Sequence, residues 1–220
     1  MLPVQPQRTL IEVSSTIGKI SINVIDVVKP KAVMTIAHGA GAGMEHPFME
    51  SLSQELAKES ISTVRFNFPY MENRRGRPDP APIAEKTVET VINKTHELYP
   101  RLPVFVSGKS FGGRMSSQRL SKDCPAFVKG IIFLGFPLHP AGAPATDRAN
   151  HLFLISIPML FLQGTRDALA EMKLMEPLQK KLPLATLKKF EGADHSFKVS
   201  KKQLLPELAR EASLWIDHLI

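Results

Sequence analysis

The hydrophobic positions along this chain alternate between short apolar runs and longer segments with one apolar face. Runs rich in β-branched and aromatic residues, typical of strands, occur at 18–28, 31–39, 62–69, 103–107, 128–137, 158–164 and 185–192. Segments with apolar residues at helical spacing occur at 47–60, 82–98, 110–120, 171–182 and 203–220. Strands that alternate with helices predict an α/β fold whose doubly wound, mostly parallel sheet is flanked by helices.

Two stretches refine this organisation. The sequence KPK at 29–31 predicts that the first two strands are joined by a tight turn near Pro30. The segment 138–157 begins with HPAGAPA, which is too rich in Pro, Gly and Ala for a regular element. We expect a minimal cover loop with a short helix there. With no long linker in 220 residues, the chain predicts a single domain, 1–220.

Composition and charge exclude several classes of function. The first ten residues, MLPVQPQRTL, lack the apolar centre of a signal peptide, and no run is long enough for a membrane span. Cys124 is the one cysteine, so we expect no disulfide, no cysteine-based metal cluster and a cytoplasmic setting. The net charge of +7 comes from scattered basic residues without interleaved aromatics. This pattern argues against a nucleic-acid ligand.

The stretch PVFVSGKSFGGRM at 103–115 places Ser110 in one of two motifs. A phosphate-binding P-loop needs a glycine five residues before Gly108, and that position is Pro103. The nucleophile elbow G-x-S-x-G, a sharp turn from a strand to a helix, fits at every position from Gly108 to Gly112. An ordinary turn in which Ser110 caps a helix would not require both glycines.

A serine nucleophile needs a histidine base that a carboxylate orients, and in this fold the chain order is Ser, acid, His. After Ser110, Asp167 is the first acid directly at the end of an apolar strand, since Asp147 lies well inside the loop. The next strand leads to His195. Asp194 is interpreted as a turn residue because side chains of adjacent residues point apart. The predicted catalytic residues are therefore Ser110, Asp167 and His195, without a metal or organic cofactor.

Further residues are predicted to complete the site. Acyl transfer needs two backbone N–H donors for the developing oxyanion. We expect them from Phe111, which follows the nucleophile, and from the glycine-rich loop AHGAGAG, with Ala40 first and Gly41 next. Weaker substrate-binding candidates are Arg74, Arg75, Lys109 and His139. The arginines would pair with an anionic substrate, or else belong to a solvated basic loop.

The motifs HGAGAGMEHPFM, RFNFPYM, GKSFGGRM, GFPLHPAG, QGTRD and GADHSF together resemble small predicted hydrolases of the α/β-hydrolase superfamily. The resemblance is to dienelactone-hydrolase-like proteins and to the branch with the testis-expressed hydrolase-like proteins. It implies that Ser110, Asp167 and His195 match the nucleophile, acid and base of the family. Dienelactone hydrolases themselves carry a cysteine nucleophile, so the serine argues against lactone substrates.

The sequence thus predicts a serine hydrolase that cleaves a small carboxylic ester or thioester through an acyl-enzyme at Ser110. The alternative is a catalytically silent binding or scaffold protein on the same frame. A peptidase stays open, although no feature specifies a peptide groove. An open cleft above Ser110 favours the enzyme, whereas a loop 138–157 packed over Ser110 favours the scaffold.

Overall fold

One sheet of eight strands forms the centre of the computed structural model, which describes residues 5–220. The strands are β1 (Gln7–Ser14), β2 (Gly18–Ile25), β3 (Ala32–Ala37), β4 (Ile61–Phe66), β5 (Val104–Lys109), β6 (Val128–Leu134), β7 (Met159–Gly164) and β8 (Ala185–Phe190). Their order in the sheet is β1-β2-β4-β3-β5-β6-β7-β8. The pairs β1–β2 and β2–β4 are antiparallel and the remaining pairs are parallel. Residues 1–4 of the predicted domain 1–220 lie outside the described residues.

Helices cover the two faces of this sheet. They are α1 (Pro47–Lys58), α2 (Pro69–Glu72), α3 (Ala81–Leu98), α4 (Phe111–Lys122), α5 (Met172–Lys181) and α6 (Leu205–Asp217), with a 3-10 helix at Asp147–Leu154. A short hairpin, β9 (Lys198–Val199) and β10 (Lys202–Gln203), precedes α6. The doubly wound α/β fold predicted from the hydrophobic pattern is confirmed.

The core consists of two apolar layers, one on each side of the sheet. The layer under α1 and α6 contains side chains such as Leu52 and Leu208, and the layer under α3, α4 and α5 contains others such as Val88 and Met115. Strands β3, β4 and β7 are buried along their whole length. Continuous apolar burial is typical of central strands that helices cover on both faces. The sheet therefore provides a rigid frame for the loops at its edges.

The antiparallel side of the sheet differs from the sequence prediction. Strand β1 was not predicted, because QRTLIEVS mixes polar and apolar residues and its side chains are largely exposed. The predicted strands 18–28 and 31–39 exist as β2 and β3, but they are not neighbours, since β4 pairs with both of them. A pattern of apolar runs does not encode which runs pair, and a tight connection does not make two strands adjacent.

The segment 138–157 contains an irregular stretch followed by the 3-10 helix, as its composition predicts. His151 of this helix bonds Ser117 of α4, with 2.7 Å between Nε2 and Oγ. The pKa of His151 is lowered to about 4 by burial and by the charge of Arg114. Its ring is therefore neutral where the helix docks. Within residues 5–220, no helix has the length and hydropathy needed to span a membrane.

Candidate active site

Ser110 lies at the sharp turn between β5 and α4, in a left-handed backbone conformation with φ 50° and ψ −113°. The backbone of a residue other than glycine is strained at such a φ, and the strain persists only where the surrounding structure enforces it. The hydroxyl of Ser110 makes no hydrogen bond to the N-terminus of α4. The structure thus excludes the alternative in which Ser110 is an ordinary helix cap.

Glycines flank Ser110 because the chain passes too close to other backbone for a side chain. A Cβ atom at Gly108 would lie 2.3 Å from the nitrogen of Gly113, and one at Gly112 would lie 2.5 Å from the carbonyl oxygen of His38. Neither contact involves a side chain that can move aside. Both glycines of the G-x-S-x-G motif are therefore required by the packing of the turn.

Asp167 lies in the turn after β7, and its carboxylate is fully buried and held from three sides. Its Oδ2 accepts hydrogen bonds from Nε2 of Gln163 at 2.6 Å and from Nδ1 of His195 at 2.7 Å. Its Oδ1 accepts one from the backbone N–H of Leu169 at 2.8 Å. A carboxylate can only accept a hydrogen bond, so Nδ1 of His195 carries the proton of this contact. Nε2 of His195 is therefore left as the basic atom.

The loop that carries His195 is fixed against the end of β7. A Cβ at Gly164 would lie 2.4 Å from the carbonyl oxygen of Ala193, so the two backbones touch. Asp194 directs its Oδ1 to the N–H groups of Ser196 and Lys198 at 2.8 and 2.9 Å. Asp194 is thus a turn residue, as the sequence predicts, and Asp167 is the carboxylate that orients the ring of His195.

The glycine-rich loop after β3 lies beside Ser110, since a Cβ at Gly39 would lie 3.9 Å from Cβ of Ser110. His38 is buried beneath this loop. Its Nδ1 donates to Gly39 O at 2.8 Å, and its Nε2 accepts from the N–H of Phe68 at 3.0 Å. Burial lowers the pKa of His38 to about 4. The neutral ring, with one donor and one acceptor nitrogen, matches both partners.

Tyr70 holds the same loop through two of its backbone carbonyls. Its hydroxyl lies 2.8 Å from the carbonyl oxygen of Ala40 and 3.2 Å from that of Gly39. A trans peptide points its N–H opposite to its own carbonyl. Anchoring these two carbonyls therefore turns the N–H groups of Ala40 and Gly41 away from Tyr70. The phenol ring also packs edge-on against Phe111, with 6.3 Å between ring centroids.

A cleft of about 510 Å³ opens over these groups. Its walls come from the loop 39–42, from the start of α1, from Lys109 and Ser110, and from the segment 195–203. Ser110, His195, Ala40 and Gly41 thus face one space. None of the residues 138–157, all of which the structure describes, lines this cleft. The predicted cover segment leaves the cleft above Ser110 open.

The four weaker substrate-binding candidates have different surroundings. Lys109 lines the cleft, whereas Arg74 lines an adjoining cavity that also reaches His46. Arg75 pairs with Asp79, with 3.2 Å between Nη2 and Oδ1. The structure does not bring His139 to the cleft. This residue is buried, its Nδ1 bonds Pro140 O at 2.8 Å, and its Nε2 accepts from the N–H of Glu171 at 3.2 Å.

Sequence reasoning missed two residues that hold the site together. Gln163 donates to Asp167 and accepts from the N–H of Phe136, so it links the ends of two neighbouring strands. A signal was present, because Gln163 is a polar residue at the end of the otherwise apolar run MLFLQG. Tyr70 gave no such signal. Its partners lie in a loop about thirty positions earlier in the chain.

Known proteins share this arrangement of strands and loops. A family model described as an alpha/beta hydrolase domain matches residues 30–213, which is most of the chain. The chain belongs to the α/β-hydrolase family. The resemblance to dienelactone-hydrolase-like proteins is confirmed. A solved dienelactone hydrolase from Anabaena variabilis is 21% identical, with a TM-score of 0.77, over 98% of this chain and 99% of that one.

Two other solved structures give TM-scores close to this value at lower identity. An alpha-beta serine hydrolase homologue from Coxiella burnetii is 19% identical, with a TM-score of 0.77, over 94% of this chain and 97% of that one. An esterase from Pyrococcus furiosus is 15% identical, with a TM-score of 0.76, over 98% of this chain and 93% of that one. At these identities the likeness shows a shared fold. The chemistry has to be argued from the residues of this α/β hydrolase.

Proposed function

We propose that this α/β hydrolase is a serine hydrolase that cleaves small carboxylic esters or thioesters through an acyl-enzyme at Ser110. The observation that carries the proposal is the pairing of Asp167 with His195 beside a cleft that Ser110 also lines. The strained turn presents the serine hydroxyl to that cleft instead of to the helix. A serine that is not engaged as a cap, next to an oriented imidazole, is what nucleophilic catalysis needs.

The proposed reaction runs in two halves. Nε2 of His195 takes the proton of the Ser110 hydroxyl while Oγ bonds to the substrate carbonyl carbon, and the carbonyl electron pair moves onto oxygen. The N–H of Phe111 and those of Ala40 or Gly41 bind this oxyanion. The imidazolium then gives its proton to the departing alcohol or thiol as its bond to carbon breaks. A water molecule repeats the sequence on the acyl-enzyme and releases the acid.

Charge in the cleft supports an anionic substrate. Among its described lining residues, the cleft contains Lys109 and Lys198 but no Asp or Glu. A surplus of positive charge in a partly enclosed site attracts anions. A reducing compartment such as the cytoplasm is part of the proposal, because Cys124 is the one cysteine of the chain and is partly accessible.

Labelling with a fluorophosphonate, which reacts with activated serines, tests this function. We expect the intact protein to be labelled, Ser110→Ala to abolish labelling, and His195→Ala to slow it by about 100-fold or more, the usual contribution of a general base. The matched controls are Ser121→Ala on the same helix and His218→Ala in the C-terminal region, which should label like the parent. Labelled Ser110 would justify a screen of esters and thioesters.

The opposite result has a defined meaning as well. If the folded intact protein shows no labelling that depends on Ser110, the serine-hydrolase proposal is wrong. The binding or scaffold alternative would then take its place, with the open cleft as a ligand site that performs no chemistry. Circular dichroism and thermal unfolding of each variant verify that the compared proteins are folded.

A further inference from the structure

Lys109, which lies between the first glycine and the serine of the elbow motif, reaches the loop that carries His195. It is the last residue of β5 and directly precedes Ser110. Its Nζ donates a hydrogen bond to the backbone carbonyl oxygen of His195 at 2.6 Å. One side chain therefore ties the nucleophile's turn to the histidine's loop, across 86 positions of sequence.

The end of the Lys109 side chain lies between Gly135 and the ring of Phe197. Gly135 has φ +72°, and a Cβ built there would lie 3.2 Å from Nζ of Lys109 and 3.4 Å from Nδ1 of His195. The ammonium and the imidazole thus both border the space that the missing side chain leaves open. On another side, Nζ lies 5.6 Å from the centroid of the Phe197 ring, within range of a cation–π contact.

The position of Nζ has an electrostatic consequence. Burial lowers the pKa of Lys109 to about 8, while the carboxylates of Asp167 and Asp194 oppose that change. Because the lowered value is still above neutral, the side chain is mainly an ammonium at pH 7. A positive charge beside an imidazole disfavours the imidazolium. The other titratable groups that face the cleft around it are His46 and Lys198.

We propose that Lys109 is a positioning residue for the proposed reaction, which holds the loop of His195 in place and keeps a positive charge beside the imidazole. The inference rests on the proposed serine-hydrolase function. The charge extends the reactivity of Ser110 to lower pH, because the base of the reaction is the unprotonated ring. Asp167 acts in the opposite direction and stabilises the imidazolium that forms during attack. The two charges together set the pH at which the site becomes active.

The test measures the rate of fluorophosphonate labelling between about pH 5 and pH 8, where histidine titrates. In the parent, we expect the rate to rise with pH along an acidic limb, because a general base has to be unprotonated to act. In Lys109→Met and Lys109→Gln the ammonium is gone, so the limb moves to higher pH. We expect a displacement of about 0.5 pH unit or more, the effect of a unit charge a few ångströms away even in a watery environment.

Lys109→Arg retains the charge and should keep the limb where it is in the parent. Lys129→Met is the matched control, because Lys129 also donates to a backbone carbonyl, that of Ala126, near the opposite end of the sheet. Lys109→Gln is a second neutral variant with a polar side chain, for the case in which Lys109→Met fails to fold.

The outcomes separate this inference from the function on which it rests. Displaced limbs in both neutral variants, with an unmoved limb in Lys109→Arg, support it. A limb that stays in place in the folded neutral variants overturns it, even where the labelling rate falls equally at every pH because the loop of His195 is no longer held. If instead the parent shows no labelling that depends on Ser110, the serine-hydrolase proposal itself has failed, and the Lys109 variants are not needed to show it.

Discussion

Individual side chains show how burial controls protonation around the site. His38 is completely buried, and both of its ring nitrogens are used, one as a donor and one as an acceptor. A proton on Nε2 would replace the acceptor that the N–H of Phe68 needs. Burial also lowers the pKa of this ring to about 4, since a charge there has no water to stabilise it. The glycine-rich loop depends on His38 staying neutral.

Because of His38, the stability of the protein should decrease as the pH is lowered. In the unfolded chain this histidine binds a proton near pH 6.5, whereas in the folded chain it does so near pH 4, so the unfolded state gains protons first as the pH decreases. The free energy of unfolding should decrease between these values by up to about 3 kcal/mol from this group. Urea denaturation at a series of pH values measures the decrease.

The variant His38→Asn should reduce this pH dependence, even though it lowers stability at neutral pH. Part of the dependence remains, because the pKa of His151 is also lowered to about 4. The exposed His218 provides the control, and His218→Asn should leave the profile unchanged. An equally steep profile in His38→Asn and the parent would show that His38 is not the group responsible.

At the scale of the elements, small residues decide how closely helices approach the sheet. Gly130 in β6 faces Trp215 of α6, and a Cβ there would lie 2.6 Å from Cη2 of the indole. The same ring packs edge-on against Phe105 of β5, with 6.0 Å between centroids. The indole is rigid and partly buried against this layer of the core. The side chain at position 130 therefore sets the distance between α6 and the sheet.

We expect Gly130→Ala to displace Trp215 and to lower the free energy of unfolding by about 1–3 kcal/mol, the usual cost of overpacking. Trp215 is the one tryptophan, so the emission maximum of the protein reports its displacement directly. Gly76→Ala is the control, since no atom lies within 4 Å of its added Cβ. Unchanged stability and emission in Gly130→Ala would contradict this account of the packing.

The predictability of the site also depends on scale. The sequence selects Ser110, Asp167 and His195 as candidates because each follows an apolar run, in an order that the fold requires. The structure does place His195 against Asp167. The roles of Tyr70 and Gln163, by contrast, depend on which loops and strands lie side by side. Strand pairing carries no local signal, and for the same reason the tight turn predicted near Pro30 does not show that β4 lies between β2 and β3.

For the whole molecule, charge is the property that reaches beyond the site. The chain carries a net charge of +7, and the cleft itself contains Lys109 and Lys198. Fields of this kind raise the local concentration of anions and weaken as salt shortens the screening length. If the proposed function holds, the net charge and the cleft lysines should both favour anionic esters over neutral ones.

The expected observation is a ratio of kcat/KM, for an anionic over a neutral ester with the same acyl group, that falls several-fold as ionic strength rises from about 0.01 M to about 0.5 M. Lys198→Gln should reduce the ratio at low salt, because it removes one of the cleft charges. A ratio that does not respond to salt would mean that the enzyme does not select its substrate by charge.

The tie between Lys109 and the loop of His195 also has a consequence for folding. The contact joins positions 86 apart, and the pair of Asp167 with His195 joins positions 28 apart. Contacts between distant positions form only after the entropy of closing the intervening chain has been overcome. A nascent chain folded only as far as β6 would contain the proposed nucleophile, Ser110, without the proposed base, His195. Under the proposed function, reactivity at Ser110 therefore develops only after β7 and β8 have joined the sheet.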